Sequence, residues 1–180
     1  MYRKILITGC AKTGTTLVRR LFNAFDLKVF NKEEISLDGL INSDYSVGKR
    51  TYLTIFSNLL SEEEINRQLN LIKDNNIKIV NIVRDKESTL KSTNGWVKED
   101  RYDECMRQAT EFSQYIDYTI NYSDLISNPN SIQESLSKVL NLKIIHKWSD
   151  FPDWFDNTDE PKGGNWDHKG YKLRKIGEKV

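Results

Sequence analysis

At 180 residues, with two cysteines and a formal net charge of +1, the chain has room for one domain with one continuous core. Its 27 basic side chains are offset by 26 acidic ones, which gives no support for binding nucleic acid or an anionic membrane through bulk charge. Any anion must be met by a local cluster. The longest apolar run, Ile5-Leu6-Ile7, breaks at Thr8-Gly9, far short of the roughly 20 residues that span a bilayer. Met1-Tyr2-Arg3-Lys4 leads into no signal-peptide core or cleavage site, so a cytoplasmic setting without a membrane span is expected. Cys10 and Cys105 lie too far apart in sequence to suggest a disulfide scaffold or a zinc site.

In chain order, Lys4-Ile5-Leu6-Ile7-Thr8 predicts a short buried strand ended by Gly9, and Leu17, Leu21, Phe22 and Phe25 then recur at helical spacing. Residues 27–30 predict a second strand; residues 47–55, rich in β-branched and aromatic side chains, predict a third. Ser61-Glu62-Glu63-Glu64 has the form of a capping box, and the helix it opens carries Ile65, Leu69 and Ile72 on one face. Asn75-Asn76 ends that helix, and residues 77–83 form the clearest strand pattern in the chain. A helix is expected just after Asp85 and another over residues 102–115, followed by a strand over residues 118–122. Pro129 opens a last helix whose Ile132, Leu136 and Leu140 face inward. From about Lys143 the periodicity weakens and Trp, Asp and Gly become dense. Strands alternating with helices predict an α/β fold: a single domain over residues 1–180, with a parallel sheet covered by helices on both faces in three layers.

Between the first strand and the first helix lies Gly9-Cys10-Ala11-Lys12-Thr13-Gly14-Thr15-Thr16. Its two glycines let the backbone curl until N–H groups point inward, and the helix N-terminus adds the positive end of its dipole. Together these make a phosphate cradle. An ATPase or GTPase loop places lysine directly after the second glycine. Here Thr15 fills that slot, and the lysine stands at Lys12, inside the turn.

This string resembles the 5′-phosphosulfate loop, usually PKSGTT, of the sulfotransferases that use 3′-phosphoadenosine 5′-phosphosulfate (PAPS). The resemblance implies a P-loop-type sulfotransferase domain in which Gly9, Lys12, Thr13, Gly14, Thr15 and Thr16 bind the donor. Lys12 would meet the bridging oxygen and sulfuryl group, and Thr15 and Thr16 the 5′-phosphate. Charge builds on the leaving phosphate as its bond to sulfur breaks, and a preplaced ammonium stabilises it. Leu17 departs from the family, many of whose members stack a tryptophan there on adenine.

Three further motifs follow in the family's order. Ile82-Val83-Arg84-Asp85, with Ser92 about two turns on, resembles the 3′-phosphate site, where a guanidinium and a hydroxyl grip the anion. Lys86 replaces the usual proline there. Asn121-Tyr122-Ser123-Asp124-Leu125, followed by Pro129, resembles the YEDL…P element, whose tyrosine often lies near the adenine; Ser123 replaces the usual acidic residue. Lys162-Gly163-Gly164-Asn165-Trp166 resembles a shortened RKGxxGDW loop, which implies donor contacts from Lys162, Gly163 and Trp166. The resemblance covers residues 4–166, with four motifs in order.

Sulfuryl transfer to a hydroxyl needs a base. Cytosolic members of the family use a histidine on the strand that Lys49-Arg50-Thr51 occupies here, whereas members acting on heparan-type glycans use a glutamate after the second strand. Glu34 stands at that spacing and is the expected base, with Glu33 and His168 behind it; Lys32-Glu33-Glu34 reads equally as a solvated helix start. Lys49 or Arg50 would orient the acceptor or the sulfuryl group, or be a surface charge. The acceptor class is a small molecule or a glycan, and Trp96, Tyr102, Trp148 and Trp154 either line its site or belong to the core. No metal is required, because Lys12 and Arg84 supply the neutralising charge. Two other functions fit the same pattern: a P-loop kinase of a nucleotide or small metabolite, and a non-catalytic nucleotide-binding module.

Overall fold

The computed structural model describes residues 4–31, 34–51, 62–93 and 98–150. These form four strands and seven α-helices in the order β1 (Ile5–Gly9), α1 (Thr15–Phe22), α2 (Leu37–Ile41), β2 (Val47–Lys49), α3 (Glu62–Asp74), β3 (Lys78–Val83), α4 (Lys86–Ser92), α5 (Glu99–Glu111), β4 (Tyr118–Asn121), α6 (Tyr122–Ser127) and α7 (Pro129–Leu140). Single 3-10 turns stand at Ser113–Tyr115 and Trp148–Asp150.

The strands make one sheet in the order β2-β1-β3-β4, every pairing parallel. All five residues of β1 are buried, as a central parallel strand demands. Successive strand side chains point to opposite faces, and the packing follows that alternation. Ile5 and Ile7 of β1 and Val80 and Ile82 of β3 join Val18, Leu21 and Phe22 of α1 and Leu136 and Leu140 of α7. Leu6 and Ile79 instead join Leu37 and Leu40 of α2 and Ile72 of α3. Burying each such side chain contributes about 1.5–3 kcal/mol, so the alternation in β1 and β3 also fixes their register against the helices.

Several boundaries differ from those the sequence predicts. Residues 27–30 form no regular strand: they touch β2 through one bridge, Val29 to Val47, with Phe30 N–H donating to Val47 O at 2.8 Å. Phe25 lies beyond α1, which Asn23 caps, and reaches the core from the following turn, paired by a bridge to Ile144. The regular ladder of β2 ends at Lys49, although Arg50 N–H still donates to Ile7 O at 2.9 Å. The helix expected over residues 102–115 begins at Glu99 and tightens into a 3-10 turn after Glu111. Tyr122 does not end a strand but opens α6. The Ser61 half of the expected capping box lies outside the described residues, and the Glu64 carboxylate accepts from Arg67 at 2.8 and 2.9 Å and from Gln68 at 2.9 Å.

Candidate functional site

In an all-parallel sheet every strand ends on the same edge, and here that edge gathers the residues of interest. The chain runs from β1 outward to β2 on one side, then crosses to β3 on the other. The switch point between β1 and β3 is where such sheets open a crevice at their C-terminal edge. The glycine loop leaves β1 at that crevice, and Arg84 follows the last residue of β3 beside it.

The loop folds as its glycines require. Gly9 has φ 155°, Lys12 has φ 65° and Gly14 has φ 109°. A Cβ on Gly14 would lie 2.8 Å from the Tyr122 ring, and one on Gly9 would lie 2.6 Å from Ile82 O. Cys10 O accepts from Thr13 N–H at 3.2 Å and Thr13 Oγ1 at 2.7 Å, which closes the turn. Gly14 stands at the N-cap of α1 without a side-chain cap, and no acidic residue occupies the helix's first turn. The N–H groups that a helix start leaves without intrahelical partners are therefore not covered by a capping side chain. Lys12 is exposed, Thr13 and Thr15 are buried, and Thr16 is half-buried.

Arg84 adjoins the loop directly. Its Nη1 donates to Lys12 O at 3.3 Å, and its guanidinium sits 4.3 Å from the centre of the Tyr122 ring. Its Nε is buried without a hydrogen-bond partner. Tyr102 Oη donates to Arg84 O at 2.7 Å and so fixes the backbone from α5. A cavity of about 400 Å³ opens here, lined by Arg84, Asp85, Ser88, Asn121, Tyr122 and Ser123 among others. Asp85 caps α4 by accepting from Ser88 N–H at 2.8 Å, and that bond holds its carboxyl below the usual range. Ser92 is not among the residues lining this cavity: it is exposed at the end of α4, and its Oγ donates to Thr89 O at 2.8 Å.

On the other side of the loop, Lys49 is buried and donates from Nζ to Thr16 Oγ1 at 3.2 Å. Lys49 is therefore not the exposed surface charge that the sequence allowed. Two residues on, Thr51 turns both its N–H (3.0 Å) and its hydroxyl onto Glu34 Oε1. Ile35 N–H donates to Lys49 O at 3.1 Å, which lays the Glu34 segment along the end of β2. Glu34 is thus held at the same edge as the loop, though its side chain is exposed.

Two candidate aromatic lining residues belong to the core. Trp148 is fully buried, and Tyr102 is buried against Cys10, Cys105 and Ala109. Glu33, Trp96, Trp154, Lys162, Gly163, Trp166 and His168 lie outside the described residues. Sequence reading gave no role to Ser88, Asn121 or Met106 in this cavity; Asn121 adjoins Tyr122 in the chain, and Ser88 stands one helical turn from both Arg84 and Ser92, which was the available signal. Among the described residues, no group of three or more His, Cys, Asp or Glu is placed to hold a metal ion, and no helix is long and apolar enough to cross a membrane.

Comparison with known proteins finds no family model that matches the chain, and no curated protein that matches it.

Proposed function

We propose that the protein is a PAPS-dependent sulfotransferase of P-loop-type, three-layer architecture, acting on a hydroxyl or amine of a small-molecule or glycan acceptor. One observation carries the reading: Arg84 and the glycine loop stand side by side, joined at 3.3 Å through Lys12 O, at the switch point of the sheet. An uncapped helix start and a separate guanidinium suit a nucleotide phosphorylated at both its 5′ and 3′ ends. The residues fit such a ligand. Arg84 Nε is buried and unpaired beside a cavity, and Gly14 leaves its Cβ position to Tyr122.

PAPS supplies the sulfuryl group and a leaving group, adenosine 3′,5′-bisphosphate. The N–H groups at the start of α1, with Thr15 and Thr16, hold the 5′-phosphate, and Arg84 holds the 3′-phosphate. Lys12 stabilises the charge that develops on the bridging oxygen, and Lys49, seated against Thr16, adds a second ammonium. Glu34, held by Thr51, takes the acceptor's proton as its oxygen or nitrogen bonds to sulfur and the bond from sulfur to the phosphate oxygen breaks. Tyr122, under the Arg84 guanidinium, offers the adenine a neighbouring ring in place of the tryptophan that Leu17 replaces.

The test is calorimetric binding of adenosine 3′,5′-bisphosphate, ADP and ATP–Mg²⁺, repeated with Arg84→Ala. The bisphosphate is expected to bind tightest, and the substitution to erase its advantage over ADP. Preferred binding of ATP–Mg²⁺, indifferent to Arg84→Ala, would replace this reading with the kinase.

A further inference from the structure

Cys10 and Cys105 are the only cysteines of the chain, and the fold brings them together. Both are buried, in one cluster with Tyr102 and Ala109. We propose that this pair is an oxidation site, which closes into a disulfide and thereby changes the grip of the glycine loop on its anion.

The loop half of the pair is well placed to transmit such a change. Cys10 O is the acceptor for both Thr13 N–H and Thr13 Oγ1, so displacing Cys10 displaces the turn that leads to Gly14. The helix half is equally connected. Tyr102 and Cys105 stand three residues apart on α5 and so share a face; Tyr102 holds Arg84 O at 2.7 Å, and Cys105 shares its buried cluster with Cys10 of the loop. A disulfide fixes its sulfurs about 2.05 Å apart, closer than two free thiols can pack. Closure therefore draws the loop and α5 together and acts on both anion-holding elements.

Either thiol, deprotonated during local opening, attacks hydrogen peroxide: the O–O bond breaks, and a sulfenic acid and one water result. The other sulfur then attacks the sulfenic sulfur; an S–S bond forms, the S–O bond breaks, and a second water leaves. Two thiols lose two electrons in all, and one peroxide becomes two waters. Peroxide is close to water in size, so local opening suffices to admit it to thiols that are only 1% and 3% exposed.

The effect on nucleotide rests on the sulfotransferase reading, whereas formation of the disulfide does not. The full chain would be treated with hydrogen peroxide and followed by thiol titration, intact mass and amide exchange across residues 9–16. Both thiols are expected to disappear with loss of two hydrogens, to return with dithiothreitol, and to give no such product in Cys105→Ser. Exchange across the loop should change on oxidation, and affinity for adenosine 3′,5′-bisphosphate should fall by at least about tenfold, reversibly. Thiols that stay titratable, or an equal loss of affinity in oxidised Cys105→Ser, would overturn the pair as the site. Unchanged loop exchange in the disulfide form would overturn its coupling to the cradle. If the bisphosphate binds neither form, the sulfotransferase reading falls, and titration and exchange still decide this inference.

Discussion

Gly14 is the most constrained residue of the site: its φ of 109° suits glycine, and Tyr122 fills the space a Cβ would need. Gly14→Ala is expected to cost about 1–2 kcal/mol in backbone strain alone. It should also push Tyr122 from beneath Arg84, so calorimetry should show at least about tenfold weaker bisphosphate binding beside a lowered melting temperature. Glu34 and Thr51 make a second test. General-base catalysis typically contributes on the order of 100-fold or more, so Glu34→Gln should slow turnover of labelled PAPS by that factor and leave bisphosphate affinity unchanged. Thr51→Val should fall between Glu34→Gln and wild type, with Thr51→Ser restoring the rate, because the hydroxyl fixes the carboxylate. Undiminished turnover in Glu34→Gln would remove it from the role. At this scale the sequence was readable where a residue's chemistry is local. The glycines and Lys12 declare a turn by themselves, whereas the Lys49 contact with Thr16 joins residues 33 positions apart.

At the scale of elements, the helices reveal which ends are held locally and which by neighbours. Asn128 accepts from Ser131 N–H at 3.4 Å and caps α7, with Pro129 behind it. Asn128→Ala should cost about 1 kcal/mol in urea unfolding, without altering bisphosphate affinity. On α3, Arg67 and then Gln68 hold the Glu64 carboxyl down to about 2, from an ordinary 4.5. Its folded value is depressed, so its contribution to stability is present above about 4.5 and is lost as pH falls through about 2. The pair is solvent-screened and the effect small. The urea midpoint of wild type should drop more than that of Glu64→Gln between those limits. Helix existence was legible from apolar spacing, but helix ends were not. Glu99 to Arg101 extend α5 without an apolar signal, and Tyr122 begins a helix directly after the extended Asn121, where the pattern of the strand gave no stop.

Across the whole molecule, stability and site chemistry separate. Leu136 is fully buried in the larger cluster and is not one of the residues that line the cavity. Leu136→Ala should cost about 2–5 kcal/mol in equilibrium unfolding while bisphosphate affinity holds, which would show that the sheet edge is preorganised by its own contacts. The C-terminal end of the described chain illustrates what only packing decides. Gln133 is buried, donates to His146 O at 2.7 Å and accepts from Trp148 N–H at 3.1 Å, which seats a segment with no periodicity of its own. By itself the sequence determined the alternation of strands and helices, the glycine turn after β1 and the end of β3 just before Arg84, because each follows from short-range spacing and backbone preference. The tertiary structure alone decided the strand order that brings Arg84 to Lys12, the seat of Lys49 on Thr16, the hold of Thr51 on Glu34, and the meeting of Cys10 with Cys105. These contacts join residues far apart in the chain, and they exist only once the parallel sheet has gathered its strand ends on one edge.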